Sequence, residues 1–162
     1  MRFRPILFFS LLVGLNSVFT QAQSDLLGSV GWCNEIELYQ TNEKCGEWGG
    51  DTEFIRVYQK DCEGPILVDY IKTIIDCSDP YALNAKPKTI KKKEIKLSTE
   101  QKKMIEGSIL ELVEHKISAK KYIGHSGLAN SVIYKDSTLI INDFPSVKWP
   151  TFNALTKSIS EK

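Results

Sequence analysis

Gly124-His125-Ser126-Gly127 sets an imidazole beside a hydroxyl, the two groups from which a hydrolase draws its base and its nucleophile. The nucleophile elbow needs glycine two residues to either side of the serine, and position 128 is Leu. Neighbouring residues in a strand also point to opposite faces. An orienting acid would have to come from Asp136 or Asp143. The segment therefore reads as a glycine-bounded turn, with a small hydrolase using His125 and Ser126 kept as the alternative. The other histidine, His115, lies four residues after Glu111, the spacing of an exposed helical pair, and reads as solvated.

The most distinctive chemistry lies in Cys45-Gly46-Glu47-Trp48-Gly49-Gly50-Asp51-Thr52-Glu53. Carboxylates and one tryptophan surround a glycine-rich turn. A rigid turn that presents an aromatic suits recognition, because tryptophan offers a large contact area at small entropy cost. Glu47, Trp48, Asp51 and Glu53 are accordingly the candidate binding residues, their carboxylates able to accept from sugar hydroxyls or basic groups. In the competing reading Trp48 folds back over the sheet. The acids do not match the alternating pattern of an EF-hand calcium loop, and no cofactor or metal is expected.

A second candidate is basic. Lys86, Lys88, Lys91, Lys92, Lys93 and Lys96 fall within eleven residues and could meet a polyanion. No aromatic is interleaved for base stacking, and lysines are also what a protected sheet edge carries. Charge divides the chain here. Residues 23–79 hold 12 Asp+Glu against 4 Lys+Arg, whereas residues 80–162 hold 15 Lys+Arg against 8 Asp+Glu. Such halves either mark interaction surfaces or pack together and neutralise one another.

At 162 residues, 42% hydrophobic and 25% charged, the chain fits one globular domain and not a disordered tail or a repeat array. Its first 22 residues read as an export leader. Arg2 and Arg4 precede the largely apolar Ile6–Phe19, and Thr20-Gln21-Ala22 supplies a small-x-small cleavage site. The expected organisation is a signal peptide over 1–22 and a single exported domain over 23–162. That domain has no further apolar run long enough to cross a bilayer and is expected in the periplasm or outside the cell, where nucleic acid is a poor partner. The run CGEWGGDTEFIRVY, with the leader ending in TQAQ, resembles small exported proteins of the Bacteroidetes that carry a Cys-Gly-Glu-Trp-Gly-Gly segment. The resemblance covers about fourteen residues and the leader, and it implies export and no particular activity.

The positioning elements follow from periodicity. Residues 32–41 and 52–60 alternate apolar and polar side chains with period two, and 66–75 is β-branched. With glycine-rich separators these predict a three-stranded meander. A short edge strand follows around Ile90–Leu97. Ser98 and Gln101 form a capping box. Ile105, Ile109, Leu112, Val113 and Ile117 mark one buried helical stripe, with Gly107 placed for close approach to the sheet. Tyr122–Ala129 reads as a loop, 131–135 and 138–144 as a hairpin ended by Pro145, and Trp149, Phe152, Leu155 and Ile159 as a final helix with Pro150 in its first turn. The order β-β-β-β-α-β-β-α predicts an α+β domain, an antiparallel sheet with one main helix on a face.

In an oxidising compartment Cys33, Cys45, Cys62 and Cys77 read as two disulfides, since no C-x-x-C pair or nearby His favours zinc. The meander brings Cys33 opposite Cys62 and Cys77 near Cys45. A Cys62–Cys77 link would join opposite ends of one strand. Cys33–Cys62 and Cys45–Cys77 are therefore the expected bridges. With no convincing catalytic or metal constellation, the chain reads as a non-catalytic binding protein for a protein or glycan, an inhibitor or immunity protein being one form.

Overall fold

A computed structural model of the chain describes residues 27, 34–46, 50–62, 64–78, 87–118, 127–135 and 138–161, without the Cys62 side chain. The chain runs β1 (Glu35–Thr41), β2 (Thr52–Gln59), a 3-10 turn at Lys60–Cys62, β3 (Ile66–Ile74), β4 (Lys88–Lys96), α1 (Thr99–Ser118), β5 (Leu128–Tyr134), β6 (Ile140–Ser146) and α2 (Pro150–Ser160). The strands form one antiparallel sheet in the order β4-β3-β2-β1-β5-β6. This is the expected α+β architecture, with the lysine-rich strand at an edge.

Period-two alternation decides which face meets the helices. Ile36, Leu38, Ile55, Val57, Val68 and Tyr70 are buried and share one core with Val132 and Ile141. Ile105, Ile109 and Leu112 of α1 and Phe152, Leu155 and Ile159 of α2 close that core. Trp149, buried just ahead of α2, stacks on Phe152 with ring centroids 4.5 Å apart and donates Nε1–H to Ser108 O at 2.8 Å.

The capping box forms as read: Gln101 N donates to Ser98 Oγ at 3.1 Å, and Ser98 N donates to Gln101 Oε1 at 3.0 Å. Local details differ from expectation where tertiary contacts intervene. Ile117 is 81% exposed, because three and four residues past Leu112 it is His115 and Lys116 that reach Asp143 on β6. A Cβ on Gly107 would come 3.3 Å from Thr151 Cγ2, so the close approach is to α2 and not to the sheet. Glu111 does not serve His115; its Oε2 accepts the Thr151 N–H at 3.1 Å and satisfies a free donor in the first turn of α2. Strand β5 starts at Leu128, inside the expected loop. Pro145 lies within β6 after a cis Phe144–Pro145 bond, and an edge strand tolerates its missing N–H. Among the described residues no helix is long and apolar enough to cross a membrane.

Candidate functional site

The turn between β1 and β2 is closed at its base by polar contacts and a covalent link. Asn42 Oδ1 accepts the backbone N–H groups of Lys44 and Asp51, both at 3.0 Å, and Asn42 N donates to Asp51 O at 3.0 Å. Asp51 Oδ1 accepts Ile75 N–H at 2.9 Å and faces Lys44 Nζ at 3.4 Å. Cys45 is disulfide-bonded to Cys77, with Cα atoms 5.3 Å apart. Gly50 is required here, since a Cβ would lie 2.0 Å from Asn42 Oδ1 and 2.8 Å from two backbone atoms. One oxygen of Asp51, a predicted binding acid, is thus spent on holding the turn. Glu47 and Trp48, and the expected Cys33–Cys62 bridge, lie outside the described residues.

Glu53, the remaining candidate, points to the helix-bearing face and belongs to a polar row that crosses the sheet. Cross-strand partners in that row are Asp143, Asn130, Gln40, Glu53 and Lys72, one from each of β6, β5, β1, β2 and β3. Gln40 Nε2 donates to Asn130 Oδ1 at 3.0 Å, and Asn130 Nδ2 donates to Ser146 Oγ at 2.9 Å and Val147 O at 3.0 Å. Ser146 Oγ in turn donates to Asp143 Oδ2 at 2.5 Å. At the other end Lys72 Nζ donates to Glu53 Oε1 at 2.5 Å. Glu53 Oε2 is buried and has no hydrogen-bond partner among the described residues.

Two clefts open over this row where α2 leaves the sheet uncovered. One, of about 490 Å³, is floored by Glu53, Tyr70, Lys72 and Ile90 and walled by Asn153, Thr156, Lys157 and Ser160 of α2. The other, of about 540 Å³, lies beside the locked turn between Gln40, Asn42, Glu43, Lys44, Leu128, Lys148 and Asn153. Asn153 borders both, and Gln40 and Glu53 are cross-strand partners, so the clefts are neighbours. Burial first, then the charge of the Glu53 carboxylate and a hydrogen bond to it, pushes the Tyr70 phenol above its usual range, which keeps it protonated and turned toward Glu53.

The remaining sequence candidates are less concentrated. Along β4 the lysines alternate between faces; Lys92 turns toward α2 and donates to Ser160 O at 2.8 Å and Ile159 O at 3.3 Å, while Lys88, Lys91, Lys93 and Lys96 are exposed. His125 and Ser126 lie outside the described residues. His115 is not a solvated histidine: its Nδ1 lies 2.7 Å from Oδ2 of Asp143, whose side chain is 6% exposed. On the helix-free face Glu35 is held by Arg56 through Nε and through Nη2 at 2.6 Å, and by Lys135 Nζ at 2.6 Å. Arg56 lies 4.7 Å from the Tyr58 ring centroid.

Reasoning from sequence missed the polar row because its members are remote, Gln40 and Asn130 being 90 residues apart. The one available signal was polar interruption of inward positions, at Gln40 in β1, Glu53 in β2 and Lys72 in β3. Among the described residues no three His, Cys, Asp or Glu side chains come together in a way that could hold a metal ion. The arrangement offers paired donors and acceptors on a fixed frame, the equipment of a binding site for a polar ligand. No protein-family model, curated protein or solved structure matches the chain.

Proposed function

We propose that the chain is an exported, non-catalytic binding protein that engages a protein or glycan through the 42–51 turn and the cleft beside it. The observation that carries this reading is the locked turn. The Cys45–Cys77 bridge and the Asn42 and Asp51 hydrogen bonds fix both stems on either side of Glu47 and Trp48. Fixing the stems before binding removes an ordering cost that a free loop would bring to association. An inhibitor or immunity protein acts in this way. Export rests on the leader-like first 22 residues and on the resemblance to exported Bacteroidetes proteins with the same Cys45–Gly50 segment.

Two other readings gain less. A hydrolase built on His125 and Ser126 needs an orienting acid, and Asp143 is already engaged by His115, Ser146 and Lys116. A polyanion site on β4 would have its lysines divided between two faces of the sheet.

The test is capture from envelope and culture-medium fractions by wild-type protein and by the Glu47→Ala/Trp48→Ala variant, read by mass spectrometry and glycan analysis. A stoichiometric partner retained by wild type and lost with the variant is the expected result. Equal capture by both, or hydrolytic activity that disappears with Ser126→Ala, would overturn the reading.

A further inference from the structure

We propose that the cleft over Glu53 is a subsite for a single sugar ring, held through its hydroxyl groups between the sheet and α2. This cleft adjoins the one beside the 42–51 turn at Asn153, so the inference extends the binding reading above to a neighbouring site, names its ligand class and rests on that reading.

The volume, about 490 Å³, falls within the range of small-molecule sites, roughly 300–1,000 Å³. Its chemistry narrows the ligand. Glu53 Oε1 takes the Lys72 ammonium at 2.5 Å, and Oε2 is buried without a partner among the described residues. A buried acceptor without a partner is costly, and a ligand that supplies the missing donor recovers that cost. Lys72 already balances the carboxylate charge, and Lys157 adds a second positive group at the wall. The missing donor is therefore a neutral O–H or N–H and not an ammonium. The dianion of a phosphate monoester is disfavoured too, because its oxygens would bring no proton to Glu53 Oε2.

The α2 wall makes the complementary demand. Thr156 Oγ1 gives its proton to Asn153 O at 3.2 Å, and Ser160 Oγ gives its proton to Lys157 O at 2.9 Å. Both hydroxyl oxygens then present lone pairs as acceptors. Lys72 and Lys157 supply donors within the same lining. A ligand that must both donate and accept at neighbouring positions is one with adjacent hydroxyls. Ile90 gives the apolar patch that the C–H face of such a ring covers.

The experiment is an NMR titration of the protein, purified as the cell processes the full chain, with glucose, N-acetylglucosamine and glucuronate at millimolar concentration. Saturable shifts confined to the amides of Glu53, Lys72 and residues 153–160, with affinity at least tenfold lower in Asn153→Ala and in Ser160→Ala, would support the subsite. Both substituted residues are exposed, so the fold should survive their replacement. Tighter binding of glucuronate, reduced to the level of glucose by Lys157→Ala, would identify an acidic sugar; equal binding of all three would identify a neutral one. No saturable shift with any of the three, or shifts that both variants leave unchanged, would overturn the inference. If capture depends on Glu47 and Trp48 while the titrations are silent, the sugar subsite fails and the binding reading stands. Loss of both results removes both.

Discussion

Nδ1 of His115, in the last turns of α1, stands 2.7 Å from Oδ2 of Asp143 on edge strand β6. The same carboxylate accepts from Ser146 Oγ and faces Lys116 Nζ at 3.5 Å. It pins the end of the helix to the outermost strand. Asp143→Ala leaves these groups without their acceptor, and a loss of about 2–3 kcal/mol is expected in urea unfolding at neutral pH. His115→Ala, which removes a more exposed partner, should cost about 1 kcal/mol, with the double variant less than additive. An Asp143→Ala cost within about 0.5 kcal/mol of zero would show that the contact holds nothing.

Acid stability should depend on Glu35. Its carboxyl is lowered to about 2, first by the Arg56 hydrogen bond, against the opposing effect of burial, and further by Lys135. A depressed carboxyl contributes stability that is complete above its ordinary value of 4.5 and is lost as pH falls towards 2. Glu35→Gln should flatten the unfolding free energy across that window, by on the order of 1–2 kcal/mol, since Arg56 and Lys135 are partly open to water. An unchanged acid limb in pH-dependent denaturation would refute this.

Removing the bridge should unlock the turn. Cys45 and Cys77 are 32 residues apart, a loop for which cross-linking contributes about 3–4 kcal/mol. Cys45→Ala/Cys77→Ala should lose about that much in guanidinium unfolding and weaken partner capture, while the far-UV circular dichroism stays that of the folded sheet.

Gly50→Ala attacks the same turn without touching the disulfide. The added methyl would sit 2.0 Å from Asn42 Oδ1 and 2.8 Å from Lys44 N, so the turn must open. A loss of about 2 kcal/mol or more is expected, together with faster amide exchange at Lys44 and Asp51. Wild-type exchange at those two amides would count against the closed turn.

Lys92 should stand apart from its neighbours on β4. Its ammonium bonds two carbonyls at the C-terminal end of α2, where a positive charge also favours the helix dipole. Lys92→Ala should cost about 1–2 kcal/mol and fray the last turn of α2. Lys91→Ala and Lys93→Ala, on exposed positions, should be neutral within about 0.5 kcal/mol. Equal effects at all three sites, read by thermal unfolding and amide exchange, would remove this distinction.

Much of the fold is legible in the chain because local physics sets it. Ile36 and Leu38, or Ile55 and Val57, alternate with polar neighbours as a half-buried strand must. Ser98 and Gln101 announce a helix start through groups three residues apart. The Cys45–Cys77 bridge followed from the meander, because consecutive hairpins return the chain to its own neighbourhood. Where a position answers to a distant element, the reading failed. Ile117 fits the stripe by spacing yet is exposed, and Glu111 and His115 fit each other by spacing yet bond to Thr151 and Asp143.

The sequence by itself determined the order of elements, the inward side of β1 and β2, the lysine-rich edge and the turn that carries the Cys45–Gly50 segment. Those properties depend on side chains at most a few residues apart, or on hairpins that close locally. Only the tertiary structure decided that Gln40, Glu53, Lys72, Asn130 and Asp143 form one polar row, and that α2 leaves part of it open as a cleft. Strand β5 docks beside β1 only after the chain has passed through three strands and a helix. Strand register is set by that packing, so nothing local to Gln40 could name Asn130 as its partner.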